Sequence, residues 1–82
     1  MRQYDDLSGN SGASGYEFTE DGILVEFNHK DVYLYDYTKP GKEHVEKMRQ
    51  LALNGQGLTT YINQYIRGNY RRKIDQSELE LS

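Results

Sequence analysis

The run that decides the fold is Val32-Tyr33-Leu34-Tyr35-Asp36-Tyr37, in which every second residue is a tyrosine. A spacing of two residues is typical of a β-strand, so the three tyrosines share one face of a sheet and the residues between them share the other. The role of the tyrosines is open at this point. They either fill the core with their hydroxyls at its rim, or they form an exposed surface on which flat ligands stack.

The chain before this run predicts a β-hairpin, because two segments of alternating apolar and polar residues flank the turn signal Asp21-Gly22. A two-residue loop places Phe18 opposite Val25. The same loop places Tyr16 opposite Phe27, which gathers the large apolar side chains on one face. We therefore expect this register.

The next loop determines which face the tyrosines occupy. If His29-Lys30 alone form the loop, the tyrosines point away from the apolar residues of the preceding strand. A loop with an odd number of residues, with Asn or Lys in the left-handed position, makes one continuous face from Ile23, Val25, Phe27, Tyr33, Tyr35 and Tyr37. The opposite face then holds Leu24, Glu26, Val32, Leu34 and Asp36. We favour the odd loop, which places the tyrosines in the core.

After Pro40 the spacing of apolar residues changes from that of a strand to that of a helix. A first helix is predicted by Val45, Met48, Leu51 and Ala52, with Thr38 as its N-cap and Asn54-Gly55 as its end. A second helix, ended by Gly68, is predicted by the apolar stripe of Leu58, Tyr61, Ile62, Tyr65 and Ile66.

These elements predict a single α+β domain, a three-stranded antiparallel β-meander followed by two α-helices packed on one sheet face, in the order β-β-β-α-α. The domain is expected to span residues 16–70. Residues 1–15 form a Gly/Ser-rich arm and residues 71–82 a tail, and both are expected to be mobile because they bury little apolar surface. The uncovered sheet face presents an exposed apolar patch of Leu24, Val32 and Leu34.

The chain resembles the KTSC domain family, which is named from the C-terminus of some lysyl-tRNA synthetases and includes stand-alone bacterial proteins. The resemblance covers about residues 16–70 and rests on the motifs Ile23-x-Val25-x-Phe27, Tyr33-Leu34-Tyr35 and Tyr61-Ile62-Asn63-x-x-Ile66-Arg67, followed by Tyr70. The family usually has Gly where this chain has Lys30, and its Gly before the second helix lies about two residues later than Gly57. The resemblance implies a domain of uncharacterised function, without catalysis, for which RNA binding has been suggested.

Composition narrows the function classes. A net charge of −3 argues against general attraction to nucleic acid, and the absence of cysteine excludes disulfides and thiolate metal sites. No apolar stretch is long enough to cross a membrane, so we expect a cytoplasmic location. His29 and His44 lack metal-binding spacing and no nucleophile motif is present. We therefore expect neither catalysis nor a cofactor or metal.

Two binding functions remain open. The first is weak, salt-dependent RNA binding, in which tyrosines stack bases and cations contact phosphates. Its candidate residues are Tyr33, Tyr35, Asn63, Arg67, Arg71, Arg72 and Lys73. The alternative is a protein-interaction or homodimerisation domain that uses Leu24, Val32 and Leu34. A further hypothesis places a phosphate at the helix start after Gly55-Gln56-Gly57.

Overall fold

The computed structural model describes residues 2–5 and 12–75, and it consists of an antiparallel sheet with two helices packed on one face. Across the sheet, the five strands follow the chain order β1 (Arg2–Gln3), β2 (Ala13–Thr19), β3 (Gly22–Phe27), β4 (Asp31–Asp36) and β5 (Arg72–Ile74). The helices are α1 (Lys42–Asn54) and α2 (Leu58–Tyr61), and α2 continues directly as a π-helical segment, Ile62–Ile66. We name the sheet face under the helices the front face and the opposite one the back face.

The predicted α+β class is confirmed, but the sheet has five strands and not three. The additional strands β1 and β5 pair with β2 and β4, so the sheet extends beyond residues 16–70. They were not predicted because each is too short to show an alternating pattern. Their physical role is to pair backbone groups that a three-stranded sheet would leave open along its two edges. Of the predicted arm and tail, residues 1, 6–11 and 76–82 lie outside the described residues, whereas residues 13–15 belong to β2.

The first hairpin differs from the predicted register by two residues. Its loop is Glu20-Asp21, so Tyr16 lies opposite Val25 and Phe18 lies opposite Ile23. A shift by two keeps each of these side chains on its predicted face. Glycine is required at position 22 within the strand, because a Cβ there would collide with the carbonyl oxygen of Tyr35.

The second loop has three residues, 28–30, which confirms the predicted odd loop. Asn28 and His29 both have φ of 57°, and left-handed backbone at two successive central residues is the geometry of a type I′ turn. Tyr33 and Tyr35 consequently lie on the front face with the apolar residues of β3. Tyr35 is buried, and Tyr33 is half-buried.

Helix α1 forms where the sequence predicts it and buries Val45, Met48 and Ala52. It ends at Gly55, whose φ of 76° is the left-handed conformation expected of a C-terminal glycine. The prediction that Thr38 is its N-cap was wrong, because α1 begins after Gly41. The N–H of Thr38 instead donates to a carboxylate oxygen of Asp36 at 2.9 Å, in the turn that follows β4.

The second helix is α-helical only over its first turn, Leu58–Tyr61. Its π-helical segment has more residues per turn, so Leu58, Ile62 and Ile66, four residues apart, remain aligned and buried. Tyr65 was predicted to belong to this buried stripe, but it turns outward and is 63% exposed. The N–H of Arg67 donates to the carbonyl of Ile62, which closes the last wide turn.

The back face carries a second, smaller apolar cluster. Leu24 and Val32 are 9% and 2% exposed, and they pack with Ile74, while Leu34 is half-buried beside them. The predicted exposed patch was therefore wrong for Leu24 and Val32. Ile74 was missed as their neighbour because it belongs to the unpredicted strand β5. Among the described residues, no helix is long and apolar enough to span a membrane.

Candidate nucleic-acid interface

A groove opens on the front face beside the end of the second helix. It has a volume of about 420 Å³ and is lined by Phe27, Tyr33, Tyr35, Ile62, Asn63, Arg67 and Tyr70. This volume lies in the range of about 300–1,000 Å³ that is usual for ligand clefts. The groove brings together four of the seven predicted nucleic-acid-binding residues, from β4 and from the second helix.

The aromatic part of the groove is a cluster of four rings. The ring centroid of Tyr70 is 4.7 Å from that of Tyr33 and 6.4 Å from that of Tyr35. Phe27 contacts Tyr33 edge to face at 5.8 Å. Burial, reinforced by the two neighbouring tyrosines, raises the pKa of Tyr35 well above its ordinary value. Tyr35 is therefore the floor of the groove, and the partly exposed rings are those of Phe27, Tyr33 and Tyr70.

Arg67 occupies a turn position that favours glycine. Its φ is 50° and its ψ is −122°, and the N–H of Asn69 donates to the carbonyl of Ile66 at 2.9 Å. These values define a type II′ turn in which Arg67 is the first central residue. A residue other than glycine costs roughly 1–3 kcal/mol in such a conformation, and strain of this kind clusters at ligand sites. Gly68 stands one position too late to relieve it.

The side chain of Arg67 is anchored at one nitrogen. Its Nε donates to the carbonyl oxygen of Asn63 at 3.2 Å, across the last turn of the helix. Both residues are exposed at the rim of the groove. Within residues 2–5 and 12–75, no carboxylate forms an ion pair with this guanidinium. Its two terminal nitrogens are thus available for an anionic ligand.

The three other predicted cations do not line the groove. Lys73 Nζ lies 3.2 Å from a carboxylate oxygen of Asp31, and this hydrogen bond raises the pKa of Lys73. The Nε of Arg71 lies 3.5 Å from a carboxylate oxygen of Asp36. Arg72 pairs with a back-face residue of β4 and so belongs to the back face. The four cations consequently do not form one basic patch.

The start of the second helix is occupied by residues from the N-terminal part of the chain. The N–H of Leu58 donates to the hydroxyl of Tyr4 at 3.2 Å, and Tyr4 is 3% exposed. The hydroxyl of Thr59 accepts a hydrogen bond from the N–H of Ala13, also at 3.2 Å. The N–H of Leu58 and the hydroxyl of Thr59, two of the groups that the phosphate hypothesis required after Gly55-Gln56-Gly57, are therefore used in folding contacts.

The two histidines lie away from the groove lining. His44 Nδ1 is 2.8 Å from the hydroxyl oxygen of Tyr61, and His29 is exposed in the loop before β4. In the part of the chain that the structure describes, no three His, Asp or Glu side chains are grouped so that they could hold a metal ion.

Sequence reasoning missed three residues that line the groove. Tyr70 was present only as the residue that follows the third motif of the resemblance, and Phe27 only as part of the tyrosine face. Ile62 was assigned to the core, where it also lies. Two sequence signals could have identified them. Ile62 and Tyr70 lie close to Asn63 and Arg67 in the chain, and Phe27 shares a predicted sheet face with Tyr33 and Tyr35.

Comparisons with protein-family models, curated proteins and solved structures found no match for this chain. The function of the groove is therefore inferred from its own geometry, and the resemblance to the KTSC domain family stays a proposal.

Proposed function

We propose that the protein is a non-catalytic binding module whose front-face groove binds single-stranded RNA. The observation that carries this proposal is the convergence, in one groove, of partly exposed aromatic rings, the Asn63 amide and the Arg67 guanidinium. The resemblance to the KTSC domain family, for which RNA binding has been suggested, points in the same direction.

Each of these groups matches one part of a nucleotide. Aromatic rings stack on unpaired bases and contribute about 1–3 kcal/mol per base. The Asn63 amide offers both a donor and an acceptor, which is the combination needed to hydrogen-bond the edge of a base. The guanidinium of Arg67 is suited to a phosphate because its nitrogens can bind two oxygens at once.

A single strand fits this groove better than a duplex. The faces of paired bases are covered by their neighbours, whereas the bases of loops and single strands are free to stack on protein side chains. The net charge of −3 and the pairing of Lys73 and Arg71 with carboxylates leave little long-range attraction. We expect weak binding whose dependence on salt is modest, because Arg67 is the one cation among the described residues that line the groove.

A titration of the ¹⁵N-labelled protein with a single-stranded RNA oligomer tests this function. We expect larger amide chemical-shift changes at Asn63, Arg67 and Tyr70 than at Leu24 of the back face, whose neighbours in the chain do not line the groove. The affinity should fall between about 50 and 200 mM salt. A DNA strand of the same sequence and an RNA duplex serve as comparisons. Absence of binding at low salt, or shift changes confined to the back face, would contradict the proposal.

The alternative function, a protein-interaction or homodimerisation surface, has weaker support. Of its three predicted residues, Leu24 and Val32 are buried and Leu34 is half-buried. Such a small accessible apolar area provides little of the surface that a stable interface buries. Sedimentation at several protein concentrations, with a Leu34→Lys variant alongside, would detect such an interface.

A further inference from the structure

We propose that the groove binds one nucleotide and does not bind successive nucleotides along a nucleic-acid strand. This inference rests on the proposed function. The base of this nucleotide stacks on the partly exposed rings of the groove, which include Tyr70. Its phosphate binds the guanidinium of Arg67. Arg71, Arg72 and Lys73 make no contact with the ligand. The unit of recognition is therefore one base with one phosphate, either as a free nucleotide or as one unpaired residue of an RNA.

The distribution of charge limits the ligand to one anionic group. Arg67 is the one cation of the groove lining, and its terminal nitrogens face no carboxylate in the described residues. The Nζ of Lys73 lies 5.9 Å from the ring centroid of Tyr33, but its charge is already paired with Asp31. A second phosphate on Lys73 would have to compete with this carboxylate, whereas no carboxylate of the described residues competes for the terminal nitrogens of Arg67.

The aromatic cluster provides one stacking surface and not a series. Tyr33 and Tyr70 are 4.7 Å apart, which is the separation of rings in direct contact, so no base enters between them. Tyr35 is buried beneath them. Proteins that follow a single strand instead present aromatic side chains to successive bases. One base is therefore the number that this surface accommodates.

Arg67 is also held in place before the ligand arrives. The type II′ turn fixes its backbone, and the bond from Nε to the carbonyl of Asn63 fixes the direction of its guanidinium. A side chain that is ordered in advance loses less entropy when it binds. This arrangement accounts for an arginine where the turn itself favours glycine.

Competition experiments with small ligands test the inference. A fluorescently labelled RNA oligomer bound to the protein is displaced with the four ribonucleoside 5′-monophosphates and, separately, with the corresponding nucleosides. We expect the monophosphates to displace the RNA and to bind about tenfold or more tightly than the nucleosides, since each hydrogen bond to a charged phosphate is strong. Inorganic phosphate alone should compete weakly, because it lacks the base.

Three variants assign the phosphate contact. In Arg67→Ala the advantage of the monophosphates over the nucleosides should disappear, while Arg71→Ala and Arg72→Ala should retain it. Circular dichroism of each variant confirms that it is folded. Equal loss in all three variants would contradict the assignment of the phosphate to Arg67.

The length of the RNA separates this inference from the proposed function. If one nucleotide is bound, a trinucleotide and a nonanucleotide should bind with the same affinity per strand, apart from the statistical advantage of more bases. Affinity that rises steeply with each added nucleotide, with no competition by monophosphates, would overturn the one-nucleotide site and leave RNA binding intact. Binding of monophosphates without any binding of RNA would identify a free nucleotide as the ligand and overturn the proposed function.

Discussion

The two ends of the second helical segment, residues 58–66, are built in opposite ways. At the first end, the N–H of Leu58 is hydrogen-bonded to the buried hydroxyl of Tyr4. At the other end, Arg67 has a strained backbone and an exposed side chain at the rim of a groove. The sequence suggested an anion site at each end. The comparison shows that the first end stabilises the fold, whereas the second accepts strain and leaves a cation available.

The largest expected effect is at the first end of this segment, where Tyr4 contacts Leu58. Tyr4→Ala removes a buried aromatic side chain from the core, and such a loss typically lowers the free energy of unfolding by about 3–5 kcal/mol. Tyr65→Ala is the matched control, since Tyr65 is 63% exposed, and it should cost far less. Urea unfolding measures both. Similar losses for the two variants would show that Tyr4 does not hold the helix start.

The hydroxyl of Tyr4 has a separate effect. Tyr4→Phe keeps the ring but leaves the N–H of Leu58 without its acceptor, which should cost about 1–3 kcal/mol. Tyr65→Phe should change the free energy of unfolding by less than about 0.5 kcal/mol. Faster hydrogen exchange of the Leu58 amide in Tyr4→Phe would locate the effect, and unchanged exchange would argue against this hydrogen bond.

At the other end of the segment, we expect a substitution of Arg67 to raise the free energy of unfolding and to weaken RNA binding. Arg67→Gly relieves roughly 1–3 kcal/mol of backbone strain, offset by about 0.5–1 kcal/mol for the greater freedom of glycine in the unfolded chain. We therefore expect a net stabilisation on the order of 1 kcal/mol, together with weaker RNA binding.

Arg72→Gly provides the matched control for this prediction. It makes the same chemical change within strand β5, where glycine is unfavourable by about 0.5–1 kcal/mol. Urea unfolding should thus show changes of opposite sign for the two variants. Destabilisation by Arg67→Gly would mean that the backbone of Arg67 is not strained in solution.

The last expected effect is a loss of stability at alkaline pH. Burial raises the pKa of Tyr35, and burial with its neighbours Tyr65 and Glu43 raises the pKa of Tyr61. The unfolded chain releases these protons first, so this stability is fully present below about pH 10 and is lost as the pH rises above it. The pKa of Lys73 is also raised, which acts in the same direction.

Urea midpoints measured between about pH 8 and 11 test this dependence. In Tyr35→Phe the decrease should be shallower, because the group with the strongest burial no longer ionises. An identical decrease in the variant and the natural sequence would assign the effect to other groups.

The faces of the strands could be predicted from the sequence because they depend on parity. An odd loop was sufficient to place Tyr33 and Tyr35 on the apolar face, and a register error of two residues in the first hairpin changed no face. The number of strands could not be predicted in this way. Strands β1 and β5 have two and three residues, and their formation depends on the open edges of β2 and β4.

The candidate site was predictable in part. The motif residues Tyr33, Tyr35, Asn63 and Arg67 do line one groove, since they follow from the strand face and from the helix that covers it. The role of the other cations was not predictable, because their carboxylate partners come from distant parts of the sequence. The strain at Arg67 was also hidden, since Gly68 beside it is the residue that local rules assign to the turn.

The most direct test of the central claim is a pair of charge reversals on opposite faces of the sheet. Arg67→Glu lies at the groove and Arg72→Glu lies on the back face. Both substitutions change the net charge equally, so a difference in binding reports the position and not the charge. Titration with single-stranded RNA at low salt should show binding lost in Arg67→Glu and reduced only slightly in Arg72→Glu. Equal loss of binding in the two variants, or greater loss in Arg72→Glu, would contradict the assignment of RNA binding to the groove.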